Sequence, residues 1–354
     1  MKIDELRKKI DIIDSQVLEL LNRRAEIVIE IREEKAKEGM GFYAPQREEE
    51  IYERLNRENR GPFPPGAIKP VFREIISACL SLEHPMRVAY LGPKGTFTHL
   101  ACMKKFGLST EFLPVRSIRE IFSEVEKGNA DYGVVPIENS TEGVVSHTLD
   151  MFVDAELKIC GEIQLEVTHN LLSLSGDLKQ VTKVYSHPHA IAQSKKWLEA
   201  NLPHVALLEV GSTAAAAELA SQDPSAAAIA SELAADFYNL KLICRRIEEN
   251  PRNFTRFLVV GQKPIPPTGS DKTSIVVSIR DKVGALYRML EPFAKNNINL
   301  TKIESRPSKQ KAWEYIFYVD FEGNIEEERV QRALDAVKEE CLFLKVLGSY
   351  PKGG

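Results

Sequence analysis

Cysteine is sparse and unpaired in this chain. Its five residues, Cys79, Cys102, Cys160, Cys244 and Cys341, are scattered over 354 positions with no C-x-x-C spacing. An odd, dispersed set does not make a disulfide framework or a cysteine-based zinc site, and it points to reduced thiols. Long apolar runs are missing too. No stretch approaches the roughly 18 residues needed to cross a bilayer. The opening MKIDELRKKIDIIDSQ lacks the apolar core of a secretory leader, so a cytoplasmic location is expected. Nor is there an excess of one charge: 47 Lys and Arg against 51 Asp and Glu leave a net charge of -4. Bulk electrostatics would not draw such a chain to nucleic acid, and an anionic small molecule must be held by local Arg and Lys clusters. No Gly-rich dinucleotide fingerprint opens a helix, since Gly92-Pro93-Lys94-Gly95 has the wrong spacing. What remains, 43% hydrophobic and 28% charged residues, is the composition of an ordinary globular protein long enough for two or three domains.

Residues 3–38 read as one long helix. Ile3, Leu6, Ile10, Ile13, Val17, Leu20, Ile27 and Ile31 follow an alternating three-four spacing, uninterrupted by Pro or Gly until Gly39. At about 1.5 Å per residue the helix spans about 50 Å, whereas a domain of this size has a radius of gyration of ~12 Å. The seam is therefore expected to pack on a second copy, giving a homodimer. A second helix is expected over Pro45–Asn59. A third should carry Ile68, Val71, Phe72, Ile75, Ile76, Cys79 and Leu80 on one face.

From Arg87 onward short apolar runs alternate with helical stretches. Strands are expected at Val88–Leu91, Phe112–Val115, Tyr132–Ile137, Asn170–Leu174, Lys183–Ser186, Ala206–Val210, Ala226–Ala230 and Arg256–Val260, and the intervening helices imply parallel α/β sheets. Small polar residues (Thr96, Thr98, Asn139, Ser140, Thr141, Ser186, Ser212, Thr213, Ser231) follow strand ends. Singly they are N-caps; gathered at one edge they would also make an anion site. After the Pro-rich Gln262–Lys272 comes the order β-α-β-β-α-β of a ferredoxin-like plait, with strands Ser274–Arg280, Leu300–Arg306, Trp313–Phe321 and Phe343–Tyr350 and helices Gly284–Asn296 and Glu326–Glu340.

On the first helix, Arg24 falls on the apolar seam and Lys35 lies three turns further on. In isolation these read as a solvated face or an ion pair. Together with Leu6-Arg7…Asp14, Arg23-Arg24 and Arg47-Glu48 after Pro45, they resemble the all-helical chorismate mutases over residues 3–85. The resemblance implies that Arg24, Lys35 and Arg47 hold the substrate's carboxylates and ether oxygen and that Glu48 binds its hydroxyl. It also implies that Arg7 enters from the partner subunit. Glu83 stands where some members carry Gln, and to donate to the ether oxygen it must be protonated. The rearrangement is concerted, so fixed cations can serve it by holding the folded conformer and stabilising charge on the ether oxygen.

Five motifs in one order, Gly92-Pro-Lys-Gly-Thr96-Phe97, Val135-Pro-Ile-Glu138-Asn139-Ser140-Thr141, Ser186-His187-Pro188, Gly211-Ser212-Thr213-Ala-Ala-Ala and Thr255-Arg256-Phe257, resemble prephenate dehydratase across residues 86–263. The resemblance implies a two-lobed α/β, periplasmic-binding-protein-like domain. Thr255 would be the donor to the departing hydroxyl, acting as a hydrogen-bond relay since threonine is a feeble acid. Thr96, Phe97, Thr98, Glu138, Asn139, Ser140, Thr141, Ser212, Thr213, Arg256 and Phe257 are the implied substrate-binding set. Arg256 either steadies a carboxylate or braces its strand. His187 and His189 have no partner at metal-ligand spacing; a capping His187 and an incidental His189 are expected.

Residues 272–350 resemble the ACT domains attached to dehydratases, after a linker at 264–271. Gly284-Ala285-Leu286 and Glu304-Ser305-Arg306-Pro307 are there implied to form an allosteric phenylalanine site at a subunit interface. The expectation is thus a multidomain chain: an all-α mutase at 1–85, an α/β dehydratase and an α+β ACT domain. It would convert chorismate to prephenate and then phenylpyruvate, feedback-inhibited by L-phenylalanine, without cofactor or metal. A non-enzymatic two-lobed binding protein with a sensor domain is the alternative.

Overall fold

The computed structural model describes residues 2–38, 45–280, 282–307 and 315–353, with only the backbone of 35–38. The chain divides into two compact units, residues 1–87 with 103–111, and residues 88–102 with 112–354.

The first unit is helical: α1 (Lys2–Glu38), α2 (Pro45–Glu58) and α3 (Pro65–Glu83). Proline opens both shorter helices, where its missing N–H would have had no partner. Tyr52 of α2 and Ile68, Ile76 and Cys79 of α3 are buried. Val71, expected on that face, is 43% exposed. The far end of α1 is anchored where Arg32 Nη1 donates to the Leu82 carbonyl at 3.2 Å. The whole expected seam, from Ile3 to Ile31, is 44–66% exposed. Within a single chain it stays open to solvent. Residues 103–111 belong to this unit through Leu108 N donating to Glu74 Oε2 at 2.8 Å and Arg73 Nη1 donating to the Lys104 carbonyl at 3.0 Å.

The second unit contains two α/β lobes and a plait. The first lobe comprises β1 (Arg87–Leu91), α4 (Phe97–Phe106), β2 (Glu111–Val115), α5 (Ile118–Glu126), β3 (Tyr132–Asn139), β4 (Gly143–Val144), α6 (Ser146–Asp154) and β5 (Lys158–Glu166). The second comprises β6 (Asn170–Ser173), β7 (Lys183–Ser186), α7 (Pro188–Gln193), α8 (Lys195–Asn201), β8 (Ala206–Glu209), α9 (Thr213–Ala220), β9 (Ala226–Ala230), α10 (Glu232–Tyr238) and β10 (Lys241–Cys244). β11 (Phe254–Gly261) then returns to the first lobe. The sheet orders are β2-β1-β3-β11-β5, with β4 on β3, and β10-β6-β9-β7-β8.

The expected parallel sheets are a correction: both sheets are mixed. β1 and β3 run parallel, but β11 is antiparallel to β3 and β5. In the second lobe, β7 is parallel to β8 and β9 while β6 is antiparallel to β9 and β10. The cause is the chain's two crossings between lobes, at 167–169 and 245–253, which bring β11 back from the opposite direction. β5, β10 and the short β4 were not expected as strands. β10 has only three apolar residues, Leu242–Cys244, too short a run to stand out, and in β5 Gly161 breaks the apolar start from the alternating Glu162–Glu166.

The plait follows as β12 (Asp271–Ile279), α11 (Ala285–Lys295), β13 (Leu300–Pro307), β14 (Tyr315–Glu322), α12 (Glu328–Glu340) and β15 (Cys341–Pro351), in sheet order β13-β14-β12-β15. Trp313, expected at the start of β14, lies outside the described residues. One face of this sheet, with Ile275, Val277, Phe317 and Val319, packs on Met289, Phe293 and Val337 of the helices. The other, with Val276, Tyr318, Leu347 and Tyr350, joins the core of the first lobe beside Phe152 and Ile159. A sheet covered on both faces explains why β12 is buried nearly throughout. Among the described residues, no helix is long and apolar enough to cross a membrane.

Candidate active sites

The lobe crossings deliver His169 and Asn253 beside the end of β3 and the start of β11, where Thr255 stands opposite Asn139. Asn139 Nδ2 donates to Thr255 Oγ1 and to Asn253 Oδ1, each at 2.8 Å. Asn139 Oδ1 accepts from the backbone N–H groups of Thr141 and Glu142 at 2.9 and 3.0 Å, which fixes the orientation of this amide. Asn253 Nδ2 and His169 Nε2 both donate to Gln193 Oε1, at 2.8 Å each. Gln193 Nε2 in turn donates to Glu142 Oε1 at 2.9 Å. The chain of amides therefore has one consistent direction. It fills an acceptor position on Thr255 and leaves that hydroxyl's own proton to be donated elsewhere. Burial pushes the basicity of His169 down, against the pull of Gln193 and Glu248, so the ring is held neutral with its proton on Nε2. Its Nδ1 is buried and has no hydrogen-bond partner among the described residues.

The other expected cleft residues divide into two groups. Thr96 is buried, donating to the Leu91 carbonyl at 3.1 Å and accepting from His99 N at 3.3 Å. Phe97 sets its ring edge-on to His169, centroids 6.0 Å apart, and Thr98 is buried. Ser140 accepts from Phe254 N at 2.9 Å and donates to the Arg252 carbonyl at 3.2 Å. In the second lobe Ser212 caps α9, accepting from Ala215 N at 3.0 Å, with Thr213 as the first helical residue. Ser231 caps α10 and also reaches the first lobe, donating to the Gly95 carbonyl at 3.0 Å. Gly95 is required there, since its φ is +84° and a Cβ would lie 3.2 Å from Ala234 Cα.

Glu138, Arg256 and Phe257 do not face the hydroxyl. Phe257 is 2% exposed, a core position. Arg256, one residue from Thr255 and thus on the opposite side of the strand, is held by Glu162 Oε2 at 2.6 Å and Asp320 Oδ2 at 2.7 Å. Burial alone would weaken its hold on the proton; Tyr350, Asp320 and Glu162 outweigh that and strengthen it. Of the two roles open to Arg256, this geometry supports the brace. Gln193, Asn253 and His169 were missed as site residues. Asn253 was within reach, heading the Asn-Phe-Thr-Arg-Phe run; for Gln193 and His169 only tertiary contact supplies the signal.

The helical unit carries the expected cations on α1 and α2. Arg7 is exposed and pairs with Asp4 at 3.4 Å, and Arg47 pairs with Glu50 at 3.0 Å. Arg24 is half-buried, with Nη1 buried and lacking a hydrogen-bond partner among the described residues. The side chain of Lys35 lies outside the described residues. Glu48 borders a small cavity with Arg73, Ser77 and Lys105. Burial raises its carboxyl to about 7, with Lys105 acting the other way. Glu83 is buried at the end of α3. His187 caps α7 as expected, accepting from His189 N at 3.3 Å, while His189 lies 3.3 Å from Glu142.

In the plait, Gly284 has φ +77° and precedes α11, with Ala285 buried and Leu286 exposed. Glu304, Ser305, Arg306 and Pro307 end β13, the edge strand. Glu304 and Arg306 are half-buried while Ser305 and Pro307 are exposed.

Family models agree with this three-part division. Chorismate mutase type II matches residues 6–84, prephenate dehydratase 88–265 and the ACT domain 273–339. A bifunctional chorismate mutase/prephenate dehydratase from Aquifex aeolicus is 54% identical over 355 residues, covering 99% of this chain and 98% of that relative. The chain belongs to the bifunctional chorismate mutase/prephenate dehydratase family. Among solved structures, a prephenate dehydratase from Arthrobacter aurescens in complex with L-Phe superimposes with a TM-score of 0.70 at 35% identity. It covers 75% of this chain and 90% of its own. A quorum-quenching acylase, GqqA, also gives a TM-score of 0.70, at 28% identity over 75% of this chain and 98% of its own. As a bifunctional mutase/dehydratase the chain is an isomerase and a lyase, acting in aromatic amino-acid synthesis.

Proposed function

We propose that the Thr255 hydroxyl, oriented by Asn139, donates to the ring hydroxyl of prephenate as it leaves. The observation that carries this is the 2.8 Å bond from Asn139 to Thr255 Oγ1, which turns a flexible hydroxyl into a directed donor. Loss of carbon dioxide and water is driven by formation of the aromatic ring, so the protein's task is positioning and assistance to a poor leaving group. Phe97, Ser140 and Thr141 line the cleft from the first lobe and Ser212 and Thr213 close it from the second, with Thr96 and Thr98 shaping its floor.

The mutase site we assign to Arg24, Lys35, Arg47, Glu48 and Glu83, completed by Arg7 of a second subunit. The exposed seam of α1 supports a homodimer, since a 37-residue helix with one apolar stripe in water is costly. The unpartnered Nη1 of Arg24 supports a place for a substrate carboxylate. L-Phenylalanine is proposed to bind at Gly284–Leu286 and Glu304–Pro307 and to inhibit dehydration. The open edge of β13 supports a site shared between subunits. Domain limits of 1–85, 86–263 and 272–350, with a linker at 264–271, and a cytoplasmic setting complete this reading.

Chorismate supplied alone tests it. The purified protein should release phenylpyruvate, read as strong ultraviolet absorbance after alkalinisation, and added L-phenylalanine should lower the yield. A protein that bound chorismate without producing that absorbance would be a carrier.

A further inference from the structure

Four hydrogen bonds beside the end of β3 close on themselves. Asn139 Nδ2 donates to Asn253 Oδ1 at 2.8 Å, and Asn253 Nδ2 donates to Gln193 Oε1 at 2.8 Å. Gln193 Nε2 donates to Glu142 Oε1 at 2.9 Å, and the backbone N–H of Glu142 returns to Asn139 Oδ1 at 3.0 Å. Every donor points the same way round, so each bond polarises the next. Side-chain contacts lead out of this ring to Thr255 Oγ1, 2.8 Å from Asn139 Nδ2, and to His169 Nε2, 2.8 Å from Gln193 Oε1. A further one runs from Glu142 Oε2 to His189 Nδ1 at 3.3 Å.

Glu142 differs from the other three members. It enters the ring twice, as a backbone donor and as a side-chain acceptor, and it alone is a carboxylate. A side-chain amide can turn over and exchange its donor and acceptor, whereas an ionised carboxylate only accepts. Glu142 therefore holds Gln193 with Nε2 toward itself and Oε1 toward Asn253 and His169. Its place in the chain matters as much. Glu142 sits in the first-lobe turn between the end of β3 at Asn139 and the start of β4 at Gly143, whose φ is +84°. Gln193 ends α7 of the second lobe, and Asn253 belongs to the second crossing. The ring is complete only while α7 stands against the β3–β4 turn.

We propose that Glu142 is a positioning residue of the dehydratase: its carboxylate closes the ring that aims Asn139 at Thr255, so the meeting of the two lobes and the orientation of the donor are one event. It acts through Asn139 and Thr255, and the proposal rests on the reading of Thr255 as the donor. Without the carboxylate, Gln193 Nε2 loses its acceptor and the turn that holds Asn139 Oδ1 is released from α7. His189 meets only the other carboxylate oxygen, on an exposed side where such a pair contributes little.

Glu142→Ala in the full chain tests this, assayed on prephenate, with mutase turnover of the same preparation reporting whether the chain is folded. Dehydratase kcat should fall by about tenfold or more with KM within about threefold. Glu142→Gln keeps an acceptor oxygen at the same reach and should bring kcat back to within about threefold of wild type. Glu142→Asp, charged but one methylene shorter, should stay low, and His189→Ala should leave kcat within about twofold. In a Thr255→Ala background, Glu142→Ala should cause no further loss, because the donor it serves is already gone. If Glu142→Ala is recovered only as aggregate, Glu142→Ser carries the same expectations. Wild-type kcat in Glu142→Ala overturns the proposal, as does a loss that Glu142→Asp restores and Glu142→Gln does not. A loss in His189→Ala equal to that in Glu142→Ala, or losses that multiply in the double variant, overturn it as well. The outcomes separate from those for Thr255. An inactive Thr255→Ala beside a fully active Glu142→Ala sinks this proposal alone, whereas an active Thr255→Ala sinks the reading beneath it.

Discussion

Asn139 spends every polar atom of its side chain: Oδ1 on two backbone N–H groups and Nδ2 on Thr255 and Asn253. A side-chain hydrogen bond of this kind contributes about 1–3 kcal/mol when its loss leaves a partner misdirected. Asn139→Ala should therefore lower dehydratase kcat by roughly tenfold to a hundredfold at constant mutase turnover, measured on prephenate and chorismate separately. A second prediction concerns His99, which stacks on Tyr90 with centroids 4.6 Å apart. Burial, aided by Lys94, lowers its pKa from 6.5 to about 4. The folded value lies below the unfolded one, so the unfolded chain takes up the proton first as pH falls. The stability is whole above pH 6.5 and is lost between there and pH 4. His99→Asn, which can keep an acceptor for Gly95 N, should give a shallower fall of Tm over that window; an identical slope contradicts it. At this scale much of the candidate site was legible in the sequence. Thr255, Asn139 and Ser140 stand in motifs recognisable as text, and they do come together. Arg256, the next letter of the motif, turns away because a strand sends neighbours to opposite faces, and Phe257 is taken up in the core.

Among the elements, α1 is the least settled in a single chain. Its period of apolar residues was plain in the sequence, and so was its length, since nothing in it breaks a helix. Replacing Ile10 and Ile13 together with Glu puts charge on the exposed seam without touching α2 or α3. The double variant should sediment as a monomer and lose mutase activity at least a hundredfold, Arg7 no longer reaching a second site, while keeping dehydratase turnover. A dimer with intact mutase activity would show that the seam serves some other purpose. The strands were less legible. β12 and β14 were clear because the plait sheet is buried on both faces. β5 carries Lys158, Glu162, Gln164 and Glu166, and one of these, Glu162, is buried only because Arg256 and Lys272 meet it. Burial opposes its charge, but those cations outweigh it and hold the carboxyl below the usual range. A period count scores such a residue as exposed, and the ion pairs that make its burial tolerable come from distant parts of the chain.

On the scale of the whole molecule, two chemistries share one chain, matched by family models over separate residues. The mutase needs fixed cations around a folded dianion and no proton transfer. The dehydratase needs a directed donor beneath a leaving hydroxyl. If Thr255 is that donor, the two activities must be separable by a single hydroxyl. The most direct measurement follows Thr255→Ala with chorismate as the only substrate, recording chorismate loss and phenylpyruvate formation together. Chorismate should disappear at the wild-type rate, prephenate should accumulate, and phenylpyruvate should fall at least a hundredfold. Phenylpyruvate formed at the wild-type rate would contradict the account.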